Sequence, residues 1–465
     1  MEQINYFEKL FYPKTLAYIG ASNKRKWSLL GYVDRKFQGK LYFVSKGSEK
    51  IHDIDCVKDV NDLPDGIDHA IIAVNRDHLV DVVKKCINKN FATIHIFSAG
   101  TGEFDEEGRK IEDEIYNLLI NSTTRAIGPN CMGLYSTGGR FSFNASFKAD
   151  PPGNIAIISQ SGDLTERFVN NLNYLGADFS VGASIGNSIS LNVTDLIQYF
   201  NDDDRIEIIG VYFEGFSRYH HKEGRRLFEL LKKVKKPVIF LRTGKTDAGK
   251  RSAESHTGSL TTSNQIWNAV FSQTNAIQVR SFEELIETTL AFYHYKDSLP
   301  QEKGILLITW SGGNATIATD LITQLGATVP EFSNETKVKL KKLIRFGGVV
   351  NPLDLPWKNF SDEHSKIAKI AIEEPYICGV LVESYQPHDE DSWDNYFENL
   401  AFIKNLCHDQ RKPFFLSLPF TNYQNRENYR NKIIDMGVPI FPSFESAARA
   451  FFNLYKYKEK LRKKS

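Results

Sequence analysis

The chain has 465 residues, room for two to four domains of ordinary size. With 41% hydrophobic and 25% charged residues, and Lys+Arg 58 against Asp+Glu 57 for a net charge of +1, it reads as an ordinary globular protein. That balance gives no reason to expect nucleic acid or an anionic membrane as partner. No apolar run reaches the roughly 18 residues of a spanning helix, and the opening MEQINYFEKLFYPKT lacks the apolar centre of a signal peptide. Cys56, Cys86, Cys131, Cys378 and Cys407 are scattered and form no CxxC pair. The expectation is a cytoplasmic protein with neither a disulfide framework nor a thiolate metal site.

Along the first 100 residues, short apolar runs alternate with helical patterns. TLAYIGAS, KLYFVS, HAIIAV and TIHIFSAG read as strands, and HLVDVVKKCINKN between the last two has apolar residues at helical spacing. Apolar strands alternating with helices predict a parallel sheet in an α/β fold. The helix EEGRKIEDEIYNLLINS follows, then the turn-rich IGPNCMGLYS. Asp150-Pro151-Pro152-Gly153 marks a domain boundary.

After that break the chain repeats itself. NIAIISQSGDLTERFVNNLNYLGA aligns with GILLITWSGGNATIATDLITQLGA, IIGVYFEGF with ICGVLVESY, KKPVIF with RKPFFL, and SFEELIETTLAF with SFESAARAFF. Asn192, Asp195 and Leu196 align with Asn351, Asp354 and Leu355, and Glu214 with Glu383. The order of these matches predicts two domains of one type, 151–297 and 301–460, each a doubly wound five-stranded sheet, after a first domain over 1–148. The copies differ in length around RTGKTDAGKRSAESHTGSLT, where the first carries extra residues. Rich in Gly, Ser, Thr and Lys, this insertion reads as a long exposed loop, and it holds His256.

Four motifs carry candidate chemistry. Gly20-Ala21-Ser22 ends the first strand, where a small-residue turn either simply reverses the chain or brings backbone N–H groups to a phosphate. No GxGxxG is present. Lys24, Arg25 and Lys26 follow, and Lys46 stands after the second strand where an NAD site would place an acid. This favours coenzyme A over NAD. Ser159-Gln160-Ser161-Gly162 opens a helix after IAIIS and is either an N-cap or an anion site. Glu214 closes a strand, as an ordinary edge residue or as a carboxylate in the ligand crevice; Glu383 at the matching position weakens a purely catalytic reading. His256 lies in a segment its sister copy lacks, at the helix-start pattern His-Thr-Gly-Ser-Leu. It is either a solvated histidine or a nucleophile toward phosphorus, with Glu214 available to orient its ring.

Together, GAS, SAG, GPNC, SQSG, YFEG, SHTGSL, SGG and NPLD, in this order from about residue 10 to 455, resemble the α subunit of ADP-forming (NDP-forming) acyl-CoA synthetases, the acetate–CoA ligase group related to succinyl-CoA synthetase. The resemblance implies a Rossmann-like CoA-binding domain and two flavodoxin-like CoA-ligase domains. Carried over motif by motif, it implies a phosphorylated His256 steadied by Glu214. It also implies coenzyme A on Gly20, Ala21, Ser22, Lys46 and the Ser98-Ala99-Gly100 turn, and phosphate at Ser159, Ser161, Gly162, Thr257 and Gly258. Substrates would be a small carboxylic acid and its CoA thioester.

The pattern departs from the group at Thr101 within Ser98-Ala99-Gly100-Thr101-Gly102-Glu103, at Ser45, and at Trp310 before SGG. These departures leave His256 and Glu214 untouched and the acid undetermined. Nothing after residue 460 resembles an ATP-grasp domain, and the chain closes on KEKLRKKS. The resemblance therefore implies a separate ATP-grasp β subunit that binds ATP or ADP with magnesium, in an α2β2 assembly. Two rivals remain at this level: a non-catalytic CoA-binding scaffold, and a nicotinamide-dependent oxidoreductase, which the missing GxGxxG and Lys46 disfavour.

Overall fold

A computed structural model describes residues 5–23, 37–142, 152–251, 263–344, 348–355, 362–384, 386–387, 392–418 and 426–463. The chain divides into two units, 1–173 with 178–280, and 174–177 with 281–465.

The first unit holds two sheets. In the first, β1 (Thr15–Ile19), β2 (Lys40–Val44), β3 (Lys50–Ile51), β4 (Ile54–Val57), β5 (His69–Ile72), β6 (Thr93–Ile96) and β7 (Arg125–Ile127) lie in the order β3-β4-β2-β1-β5-β6-β7. Only β3 is antiparallel to its neighbour. Without it the order is that of a dinucleotide-binding Rossmann sheet, with its reversal between β1 and β5. The strands are apolar throughout because helices cover both faces: Leu16, Ala17, Ala70, Ile71, Ile94 and Ile96 are fully buried. The helices Leu79–Asn88 and Glu106–Ile120 form where the 3.6-residue spacing places them; Asp105 caps the second by accepting from Gly108 N–H.

The second sheet contains β8 (Leu134–Ser136), β9 (Phe141–Ser142), β10 (Ile155–Ser159), β11 (Phe179–Ser184), β12 (Ile208–Phe213), β13 (Val238–Arg242) and β14 (Ile277–Val279), in the order β14-β13-β12-β10-β11-β8-β9. Five parallel strands carry the flavodoxin order, reversing between β10 and β12. The hairpin β8–β9 adds to the edge of β11 in antiparallel fashion. This hairpin comes from the stretch after GPNC, so residues 134–142 belong to the second sheet although they precede the Pro-Pro-Gly break. One apolar cluster runs through the unit, from Leu16, Tyr18 and Ile71 to Ile158, Val211 and Phe240.

The second unit repeats the flavodoxin order in β15 (Ile305–Thr309), β16 (Leu353–Asp354), β17 (Gly379–Glu383), β18 (Phe414–Ser417) and β19 (Ile440–Phe441), arranged β16-β15-β17-β18-β19. The sequence repeat is thus a repeat of topology. It extends to hydrogen bonds: Ser161 N–H donates to Ser159 Oγ at 3.1 Å, and Ser311 N–H to Thr309 Oγ1 at 3.3 Å. Among the described residues no helix is long and apolar enough to cross a membrane.

Candidate functional site

The reversal of the first sheet opens a cavity of about 690 Å³. Gly20, Ala21, Ser22 and Lys46 all line it, with Val60, Val74 and Val82 as apolar wall and Lys58 and Lys85 as further cations. Gly20 sits at φ +90°, and a Cβ there would stand 2.4 Å from Ala73 O, so only glycine lets β1 turn this close to β5. The N–H groups of Gly20 and Ala21 both donate to Val44 O at 3.0 Å. They shape the crevice and do not serve as phosphate donors, contrary to the simplest reading of the turn. Lys46 makes no ion pair among the described residues, whereas Lys85 is tied to Asp59 at 2.8 Å and Asp81 at 2.9 Å. The hydrogen bond from Lys85 is the main reason the Asp59 carboxyl is held below its ordinary range. Apolar walls, small residues at the strand end and several lysines fit a phosphate-bearing cofactor such as coenzyme A. Lys24, Arg25 and Lys26 lie outside the described residues.

The Ser98-Ala99-Gly100 turn follows β6 and is not part of that cavity wall. Ser98 donates to Val74 O at 2.5 Å, and Glu103 accepts from Gly100 N–H at 2.6 Å and Thr101 N–H at 3.2 Å. An internal carboxylate already fills this backbone nest. Asn187, from the loop after β11, donates to Glu103 Oε2 at 2.7 Å and Glu112 Oε2 at 2.9 Å, which ties the turn to the second sheet. Asn187 and Glu112 escaped sequence reasoning because nothing local marks them, and Glu103 enters it only as part of the stretch after the SAG turn.

The reversal of the second sheet gathers the other candidates. Ser161 stands at the start of the helix Gly162–Tyr174, where Thr165 N–H donates to Ser161 O at 3.1 Å and Leu164 N–H reaches Ser161 Oγ at 3.4 Å. The leading N–H groups of such a helix have no intrahelical acceptor and attract anions. A Cβ on Gly162 would lie 2.3 Å from Met132 Cγ, so this glycine admits the GPNC segment against the helix end. Across the crevice Glu214, 5% exposed, follows β12. Gln160 Oε1 accepts from Glu214 N–H at 2.6 Å and Gly215 N–H at 3.1 Å, while Gln160 Nε2 donates to Gly215 O at 2.9 Å. This glutamine locks the Ser161 turn to the Glu214 turn. Tyr212 OH donates to Glu214 Oε1 at 3.0 Å. Burial first, and the Glu214 charge second, push the tyrosine up to about 12, so it remains a donor. Ser159, Ser161, Gly162 and Glu214 are therefore brought together, while His256, Thr257 and Gly258 lie outside the described residues. Among the described residues no three His, Cys, Asp or Glu side chains are grouped as a metal site would need.

Comparison with known proteins bears on this two-crevice arrangement. Residues 14–137 match the CoA binding domain family, and residues 152–292 match the succinyl-CoA ligase like flavodoxin domain. The α subunit of acetate–CoA ligase (ADP-forming) II of Pyrococcus furiosus is 33% identical over 383 residues, 80% of each chain. The chain belongs to the α-subunit family of the ADP-forming acetate–CoA ligases. The α subunit of enzyme I from the same organism is 29% identical over 464 residues, 97% of each chain. An acetyl-coenzyme A synthetase of Ca. Korarchaeum cryptofilum, solved with phosphate and ADP, shares the fold with a TM-score of 0.82 at 24% identity, over 98% of this chain and 97% of the other. Family membership makes the chain a ligase of the class that forms carbon–sulfur bonds, using coenzyme A with ATP or ADP. It also makes the chain an α-type subunit, a kind that implies a partner subunit.

Proposed function

We propose that this chain is the CoA-binding and phosphoryl-relay subunit of an NDP-forming acyl-CoA synthetase, catalysing acid + CoA + ATP ⇌ acyl-CoA + ADP + phosphate. The domains expected at 1–148, 151–297 and 301–460 would be the CoA-binding, relay and second ligase domains, with residues 134–142 joining the second sheet and 281–297 grouped with the second unit. In the direction of acid release, an oxygen of inorganic phosphate attacks the thioester carbonyl. The carbon–sulfur bond breaks, and the thiol and an acyl phosphate result. An imidazole nitrogen of His256 then attacks phosphorus, and the carboxylate leaves with the bridging oxygen. The phosphoryl group passes from His256 to ADP on a cytoplasmic ATP-grasp partner, which holds magnesium, in an α2β2 assembly.

Ser161 and Gly162 would hold phosphate at their helix start, with Ser159 bracing the turn. Thr257 and Gly258 would do the same beside the histidine. Glu214 would orient the His256 ring and stabilise its positive charge as phosphorus is attacked. Lys46, with the Gly20-Ala21-Ser22 turn, would receive coenzyme A, and the Ser98-Ala99-Gly100 turn, its Gly100 N–H occupied by Glu103, would serve only from beyond the cavity wall. The observation that supports the relay most is Glu214, buried and held by Tyr212 and Gln160 beside the Ser161 helix start. Relatives in the family are named for acetate and 4-hydroxybutyrate, and acetate is the acid to test first.

The decisive experiment incubates the full chain with acetyl-CoA and radiolabelled phosphate. The expected outcome is an acid-labile, base-stable label on His256, absent in His256→Ala, which also loses net synthesis with the partner. Label on another residue, or full synthesis by His256→Ala, would leave a CoA-binding scaffold as the better reading.

A further inference from the structure

Among the described residues, Arg242 is the largest of the fully buried side chains, 1% exposed. It closes β13, in register with Phe213, the residue before Glu214. A guanidinium taken out of water has to be recompensed by directed hydrogen bonds. Arg242 Nη1 donates to Asn264 Oδ1 at 2.5 Å and Nη2 to Gly244 O at 3.3 Å, and the guanidinium lies 5.4 Å from the centre of the Trp267 ring. Asn264 in turn donates through Nδ2 to Lys245 O.

Gly244 and Lys245 leave the strand on one side; Asn264 begins the helix Asn264–Gln273 on the other. One guanidinium and one amide therefore join the two stems that flank the stretch containing His256. Thr243, between Arg242 and Gly244, reaches Tyr212 OH at 3.4 Å, the hydroxyl that donates to Glu214. The second copy has no histidine-bearing insertion, and β18, Phe-Phe-Leu-Ser, has no arginine.

We propose that Arg242, acting with Asn264, is a positioning residue for phosphoryl transfer: it fixes the stems at 244–245 and 264 in register with Glu214. This rests on the reading of His256 as the relay nucleophile. The planar fork matters because it serves two acceptors, one on each stem; a lysine ammonium keeps the charge and loses that geometry.

The test measures labelling of the full chain by acetyl-CoA and radiolabelled phosphate in Arg242→Lys, Asn264→Ala and the double variant. Asn264 is exposed, so its truncation leaves the core alone should Arg242→Lys fold poorly. Each single change should slow labelling by about 10- to 100-fold, the scale of a misplaced reacting group. The KM for phosphate, CoA affinity and the melting temperature of Asn264→Ala should stay at wild-type values. The double variant should be no slower than the slower single one, because both cut the same tie. Wild-type rates in both singles, a multiplicative loss in the double variant, or a parallel fall in CoA affinity and melting temperature would overturn the proposal while leaving the relay intact. A wild-type chain that takes no label at all would sink the relay reading and this proposal with it.

Discussion

Two glutamates at matching places in the repeat, Glu214 and Glu383, are both buried at strand ends, yet their surroundings separate them. Glu383 Oε2 accepts from Thr309 OH at 2.5 Å and Trp310 N–H at 3.2 Å, and Oε1 accepts from the Asn314 amide at 2.8 Å. Both oxygens serve the turn of their own domain. Glu214 accepts from Tyr212, and its turn is held instead by Gln160 through backbone bonds. Glu214→Gln should therefore keep the melting temperature and slow His256 labelling by about 10²–10⁴-fold, the scale for an orienting or acid–base group. Glu383→Gln should keep the labelling rate and cost about 1–2 kcal/mol of stability, the scale for disturbed buried hydrogen bonds. Rapid-quench labelling and calorimetry on the two variants decide the matter; equal effects of both on labelling would contradict the division of roles.

At the scale of elements, each crevice lies where strand order reverses, because there the adjacent connections depart to opposite faces of the sheet. Lys46 enters the first crevice just after β2 and makes no ion pair among the described residues. Lys46→Glu should weaken coenzyme A by about 10- to 100-fold, the scale of a lost charge-assisted phosphate contact turned repulsive. NAD should fail to bind either protein; calorimetry that found micromolar NAD binding and no CoA binding would refute this.

Much of this architecture was legible in the sequence because the strands are buried on both faces and read as apolar runs with small residues at their ends. The repeat was legible because Ser161-Gly162 and Gly176-Ala177 recur at the same spacing as Ser311-Gly312 and Gly326-Ala327, and because Glu214 and Glu383 both stand at strand ends. The β8–β9 hairpin was not: IGPNCMGLYS, which includes β8, reads as a closing turn, and the edge of β11 brings the hairpin into the second sheet. Lys58, Lys85, Gln160 and Arg242 were missed for a related reason. Their roles come from partners far away in sequence or across a strand, which no local period records.

For the molecule as a whole, buried histidines and a buried carboxyl make contributions to stability that respond to pH in opposite senses. In the first sheet His69 and His95 sit on adjacent strands, each about 1% exposed. Thr93 OH donates to Asp68 O at 2.7 Å, so His69 Nδ1, 2.9 Å from that hydroxyl oxygen, is its donor. His95 Nε2 donates to Cys131 O at 2.9 Å and holds the GPNC segment. Burial pushes His69 down to about 3 and His95 to about 4. Unfolded histidines titrate near 6.5, so between these values the unfolded chain binds more protons. The stability of the first unit is full above about pH 6.5 and falls as pH drops toward 4.

In the second unit Glu287, on the helix Phe282–Tyr295, is pushed up to about 7, by burial first, with Arg449 opposing and Glu284 adding to it. There the folded chain binds the extra proton. The Glu287 contribution is full below about pH 4.5 and falls as pH rises through 7, whereas His294 on the same helix, pushed down to about 4 by burial, contributes in the sense of His69 and His95. Glu287→Gln imitates the protonated acid at every pH. Its melting temperature should exceed that of the wild type by more at pH 8 than at pH 5, by an amount on the order of a few kcal/mol when converted. His95→Gln, which keeps a donor for Cys131 O, should instead soften the loss of stability below pH 6. Calorimetry of the full chain from pH 4 to 8 reads both slopes. A Glu287→Gln advantage that is the same at pH 5 and pH 8 would show that this carboxyl ionises in the folded protein as it does in the unfolded chain.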